Sequence, residues 1–162
     1  MGVHLKQRVK KMKRIFYLGT IFILFPVILF SQQIKNHNSK IIIKDAWIRP
    51  AATNANTALF FEVVNNSDSP DTLLSAESTL AEIVELHETY KKENDMMGMR
   101  EVHKVAIPAK SSVMFKPRDL HIMLIGTLKD IRLGSQYEIT LLFKKAGAIK
   151  VKAIVRDMPK MK

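Results

Sequence analysis

The sequence predicts an all-β sandwich. Three observations carry that expectation: short runs rich in β-branched and aromatic residues, strict two-residue alternation in the last of them, and clusters of turn-forming residues between runs. The 162 residues suit one domain with a short appendage, and a hydrophobic content of 47% is enough for a packed core. No internal repeat and no long low-complexity segment interrupts the pattern.

The chain opens with Lys6, Arg8, Lys10, Lys11, Lys13 and Arg14, which no acidic residue offsets, followed by the almost wholly apolar residues 15–30. A cationic segment leading into an apolar one is the layout of a secretory signal, with the basic residues held on the cytoplasmic side. Residues 1–31 therefore read as a signal peptide or an anchor. Sixteen apolar residues are slightly long for a signal core and slightly short for a membrane span, and Pro26 breaks their helical continuity. No small-residue cleavage site stands out near Ser31, which leaves an uncleaved anchor open; a buried core helix is the plainer alternative. There is no cysteine to carry a lipid anchor. The expected location is periplasmic.

Residues 32–39 read as a polar linker, and the domain is expected over residues 40–157. Residues 41–49 are rich in β-branched side chains and hold the only tryptophan, Trp47. Residues 57–64 are a run of Leu, Phe and Val that ends in Asn65, Asn66, Ser67, Asp68, Ser69 and Pro70, a strong turn cluster. Residues 79–88 are ambiguous, because Leu80, Ile83, Val84 and Leu86 also fit a short helix. Residues 94–99 read as a turn on the strength of Asn94, Asp95 and Gly98. Residues 112–116 alternate weakly, and residues 120–126 form a short apolar run ending at Gly126. Residues 137–143 alternate well. Ala146 and Gly147 read as a hairpin tip, and residues 149–155 alternate strictly, with Ile149, Val151, Ala153 and Val155 against Lys150, Lys152 and Arg156. The sum is about eight or nine short strands. Residues 158–162 form a short tail with Met158 and Met161.

The formal charge of +11 overstates the basicity of the domain. Setting aside the six basic residues at the N-terminus leaves 20 basic against 15 acidic residues, a balance of +5. No basic stripe interleaved with aromatics is present, so no nucleic-acid partner is expected. The absence of cysteine removes the thiolate that a blue-copper electron-transfer site needs. No Ser/His/Asp order and no Gly-rich phosphate loop points to an enzyme.

What remains chemically distinctive is a set of soft donors. His121 and Met123 are two apart, so in a strand they share one face while Ile122 and Leu124 enter the core. Met96, Met97 and Met99 crowd the predicted turn, where a thioether gains little from packing. His87 follows Leu86 and faces outward if that segment is a strand. Imidazole and thioether donors suit Cu(I) better than Mg, Ca or Mn, and thioethers are poor zinc ligands. Each residue also has a plainer explanation: methionine fills gaps in cores, a loop of methionines can fold over an apolar patch, and an exposed methionine face can bind a protein without any metal.

The order and spacing resemble the periplasmic copper chaperones called PCu(A)C. His87 and Glu88 are followed by ten residues, Met99, twenty-one residues, His121, one residue and Met123. The flanking text agrees: Glu85-Leu86-His87-Glu88-Thr89, Met97-Gly98-Met99-Arg100, Ile107-Pro108-Ala109, His121-Ile122-Met123-Leu124, and later Thr140-Leu141-Leu142-Phe143 with Ala146-Gly147. The resemblance covers residues 41–156. It implies a cupredoxin-like, Greek-key β-sandwich that binds one Cu(I) through His87, Met99, His121 and Met123. It further implies delivery toward the CuA centre on subunit II of cytochrome c oxidase, alongside a thiol-bearing Sco-type partner; copper storage or tolerance is the other role in keeping with it. Three departures stand out. Glu88 occupies a position where many members carry methionine. The Pro-Gly-Gly that precedes the second histidine in the family is Pro117-Arg118-Asp119 here. The tail offers Met158 and Met161 but no histidine for a second copper.

Overall fold

The computed structural model of the protein describes residues 40–158. The basic and apolar N-terminal segment, the polar linker and Met161 lie outside the described residues.

Ten strands form: β1 (Ile41–Ile48), β2 (Thr57–Asn65), β3 (Asp71–Glu77), β4 (Ala81–Lys91), β5 (Met97–Glu101), β6 (Val105–Ile107), β7 (Ser111–Phe115), β8 (His121–Thr127), β9 (Gln136–Phe143) and β10 (Gly147–Val155). Apart from one 3-10 turn at Glu93–Asp95, no helix occurs among the described residues. The ladder runs β5-β4-β8-β2-β1-β10-β9-β3-β6, with β7 also on β2. β1 and β10 are parallel and the other pairs antiparallel. β2 divides its free edge between two partners. Thr57–Leu59 pairs with β8, and Phe61–Asn65 pairs with β7. β1 shifts register between Lys44 and Trp47, where Asp45 adopts φ 50°. Such a bulge bends and twists a strand locally, and here it lies where β1 changes from pairing with β2 alone to pairing with β10 as well.

The core gathers the inward residues of every layer. Ile48, Leu59, Phe61, Ile122 and Leu124 come from one side, and Leu73, Ile139, Leu141, Phe143 and Ala153 from the other. Phe61 and Phe115 stack with ring centroids 4.4 Å apart, an arrangement worth about 0.5–1.5 kcal/mol beyond its buried area. Two buried polar residues fasten the turns. The Asn65 amide donates to the carbonyls of Ser69, Ile107 and Pro108, while its oxygen accepts from the Ser67 amide and hydroxyl. The Asp71 carboxylate accepts from the backbone amides of Thr72, Lys145 and Ala146, which ties the β9–β10 hairpin to β3.

One ambiguity is resolved and one expectation is corrected. Of the ambiguous residues 79–88, those from Ala81 onward are strand, because β4 pairs along its length with β5 and β8, and residues 79 and 80 form the turn before it. The methionines of residues 96–99 do not share a turn. The turn ends at Asp95, and Met97 and Met99 stand on β5, a strand at the edge of the sheet.

Candidate metal centre

The site is built by register. On the β4–β8 ladder His87 lies opposite His121, and Glu85 opposite Met123. On the β4–β5 ladder Thr89 lies opposite Met99, and Lys91 opposite Met97. Alternation then places Glu85, His87, Thr89, Met97, Met99, His121 and Met123 on one face of the sheet. Leu86 and Ile122, also directly opposed, point the other way and are buried in the core. The strands that carry the soft donors outward are thus anchored inward by leucine and isoleucine.

Beneath this outer face lies a small apolar floor separate from the main core, made of Trp47, Ala58 and Phe60. The Trp47 and Phe60 rings are 4.6 Å apart, and Phe60 lies 6.2 Å from the His121 ring. The Arg156 guanidinium covers Trp47 at 4.9 Å from its ring centroid. A cavity of about 580 Å³ opens above the floor, and His121, Met123, Met99, Met97 and Met158 line it. His87 does not line this cavity. Its ring stands 5.9 Å from that of His121, in the adjoining strand.

Each histidine has one ring nitrogen engaged and one left over. His121 is 4% exposed, and its Nδ1 lies 2.9 Å from the Asp119 carbonyl oxygen. A carbonyl only accepts, so Nδ1 carries the proton and the lone pair resides on Nε2. Burial pushes the His121 pKa down, and the charges of His87 and Arg49 add to that, against the opposing bond to Asp119. A neutral imidazole is the form that ligates a metal. His87 Nε2 lies 2.8 Å from Glu85 Oε2. A carboxylate only accepts, so Nε2 carries a proton, and in the neutral ring the lone pair is then on Nδ1. That Nδ1 is buried and has no hydrogen-bond partner. Leaving such an atom unsatisfied costs about 1–3 kcal/mol, which an electron-pair acceptor would offset. A histidine held at one nitrogen by a carboxylate or backbone carbonyl, with the other nitrogen free, is the usual arrangement behind a metal ligand. Two neutral nitrogen donors and several thioethers on one face suit a soft monovalent ion. Among the described residues, no group of three or more His, Cys, Asp or Glu side chains is placed to hold a metal by itself.

All four candidate ligands share this face. His121 is buried, His87 and Met123 are partly buried, and Met99 is exposed. Glu88 points away from them and pairs with Arg100 across the strands. Met97, grouped with Met96 and Met99 in the sequence, shares the Met99 face two residues earlier, a relation that becomes visible only once β5 is known to be a strand. Glu85 stands in the same relation to His87. Arg118, noted above as a departure from the family's Pro-Gly-Gly, also lines the cavity, as do Arg49, Phe60 and Lys116, which no local pattern in the sequence marks.

Known proteins resemble this chain in sequence and in fold. The LpqE-like family model matches residues 41–155. "Putative lipoprotein Lxx21020" of Leifsonia xyli subsp. xyli is 32% identical over 116 residues, spanning 71% of this chain and 69% of that protein. Among solved structures, the copper-bound PCuAC domain from PmoF2 is 28% identical with a TM-score of 0.61, over 74% of this chain and 94% of that one. The solution structure of Cu(I)-bound DR1885 from Deinococcus radiodurans is 25% identical with a TM-score of 0.56, over 76% of this chain and 85% of that one. The chain belongs to the LpqE-like family, and with it to the PCuAC domains that its histidine and methionine spacing resembles.

Proposed function

We propose that this protein is an exported copper carrier that binds one Cu(I) and delivers it to the CuA centre of cytochrome c oxidase. His87 Nδ1, His121 Nε2 and the sulfurs of Met99 and Met123 are the donors. The single observation that carries the reading is the orphaned Nδ1 of His87, buried on the same face as the methionines with its tautomer set by Glu85. The copper-bound PmoF2 domain and Cu(I)-bound DR1885 support the choice of ion.

The donor set also suits the task of handing copper on. Imidazole and thioether ligands bind Cu(I) without the proton release that thiols require, and more weakly than thiolates do, so transfer to a thiolate acceptor runs downhill. A carrier without cysteine has no thiol to lose to oxidation outside the cytoplasm. A Sco-type thiol protein is the expected intermediary or co-acceptor. The lipoprotein description of the Leifsonia relative supports export. This chain has no cysteine to acylate, and residues 15–30 are its candidate attachment to a membrane.

Copper K-edge absorption of the loaded full chain tests the site. The expected spectrum shows a low-coordinate Cu(I) with mixed nitrogen and sulfur neighbours, and Met123→Leu reduces the sulfur contribution. A shell of oxygen and nitrogen alone, unchanged in Met123→Leu, contradicts the assignment.

A further inference from the structure

The mouth of the methionine cavity is cationic. Arg49, Lys116 and Arg118 line it together with Met97, Met99 and Met158, and no acidic residue is among the described residues that do. All three cations are exposed. Lys116 lies 3.5 Å from Asp119; no ion pair is formed by Arg49 or Arg118 within the described residues.

Arg118 is the informative member. It adopts φ 67°, in the left-handed region that L side chains rarely enter. Its turn is fixed on both sides. The Lys116 amide donates to the Leu120 carbonyl at 2.8 Å, and the Asp119 amide to the Lys116 carbonyl at 3.1 Å. Glycine would hold that φ at no steric cost. Here an exposed arginine that lines the cavity takes the strained conformation. Strain kept at the edge of a site, where a relaxed residue would serve the fold better, points to function.

We infer that Arg118, Lys116 and Arg49 form a docking rim for an acidic protein segment that carries the copper-accepting thiols. This rests on the copper-carrier reading and specifies its partner. The occupant is a protruding loop rather than a flat anionic surface, because the rim surrounds a concavity of about 580 Å³ whose thioether walls a loop can fill. Carboxylates on the loop meet the rim cations, and its thiolates reach the copper. The exchange is redox-neutral. Copper stays Cu(I), its bonds to thioether sulfur and imidazole nitrogen break as bonds to thiolate sulfur form, and the thiol protons pass to solvent.

The test uses the full chain and synthetic peptides in which Ser-x-x-Ser or Cys-x-x-Cys is flanked by Asp and Glu or by Lys. Binding of the dye-labelled serine peptides to the copper-free chain reads docking alone. The acidic peptide is expected to bind about tenfold more tightly than the lysine peptide at low salt, the advantage fading as ionic strength passes about 0.1 M. Arg118→Gly, which fits the observed φ, and Lys116→Gln should each remove much of that advantage. Both should leave the competition for Cu(I) against a chelator unchanged, while slowing transfer to the acidic cysteine peptide. Equal binding of the two serine peptides, or full retention of the preference in Arg118→Gly, overturns the inference. So does Arg118-dependent binding to phosphatidylglycerol vesicles without any peptide preference. If the chain takes no copper from the chelator yet still prefers the acidic serine peptide, the docking rim stands and the copper-carrier reading falls.

Discussion

His87 Nε2 and Nδ1 lie in opposite environments, the first held by Glu85 and the second buried without a partner. The lone pair on Nδ1 is available while an acceptor at position 85 keeps the proton on Nε2. Glu85→Ala should therefore weaken Cu(I) binding by about 10–100-fold, the usual effect of losing such a partner. In Glu85→Gln the amide oxygen still accepts from Nε2, so the affinity should stay close to that of the wild type. Chelator competition measures both, and an unaffected affinity in Glu85→Ala would show that this tautomer has no role. His121 offers no comparable handle, because its partner is the backbone carbonyl of Asp119. The candidate ligands were legible in the sequence because His121 and Met123 alternate cleanly with Ile122 and Leu124. Their hydrogen-bond partners were not. Glu85 becomes relevant only through strand alternation on a segment whose apolar spacing also fitted a helix, and a backbone carbonyl leaves no trace in a sequence.

β5 shows how an element can be functional and nearly invisible. It lies at the edge of the sheet and buries none of its residues, so it has no apolar alternation to betray it. Gly98 reads as a turn signal but serves a different purpose. A Cβ there would stand 2.9 Å from Tyr90 Cζ and 2.6 Å from Lys92 Cε, so glycine lets Tyr90 of the neighbouring strand and Lys92 just beyond it lie across the backbone. Gly98→Ala must displace Tyr90 or β5 itself and should shift Met97 and Met99, lowering copper affinity severalfold with little change in melting temperature. An unaltered affinity would mean that β5 is not held in register by this contact. β3 was missed for another reason. Its register shifts between Leu73 and Ser75, so Leu73 and Ala76 are both buried although they are three residues apart. What secures β3 is the Asp71 carboxylate with its three amide donors. Asp71→Ala leaves those donors wanting and should cost at least about 2 kcal/mol in urea unfolding. A loss well below that would mean that water takes over the bonds.

At the scale of the molecule, the copper face and the folding core are separate. The core lies between the layers, whereas the soft donors sit on an outer face with its own apolar floor. Phe61→Ala should cost about 3–5 kcal/mol of stability, while Met99→Leu should leave stability nearly intact and weaken copper binding. A large stability loss in Met99→Leu would show that the site is packed as part of the core. The sandwich was legible as a class because β2, β9 and β10 carry strong patterns. The count of strands was not, since β6 has only three residues and β5 and β3 lack regular alternation. Acid stability is also shared across the fold. Asp68 pairs with Lys110 and Lys40, and its pKa is held below the usual value, first by the hydrogen bond from Lys110. A depressed carboxylate contributes stability above its unfolded pKa and loses it as the pH falls through the folded value. The melting-temperature difference between wild type and Asp68→Asn should therefore be small at neutral pH, shrink below about pH 4 and be reduced by salt. A difference that persists at lower pH would place the effect of the substitution elsewhere.

The most direct test of the central claim is an anaerobic titration of Cu(I) into the full chain against a colorimetric chelator, with His121→Ala and Met123→Leu measured beside the wild type. The account predicts that the wild type withdraws one copper per chain and that both variants fail to compete. Copper left on the chelator by the wild type, or withdrawn equally by all three proteins, would contradict it.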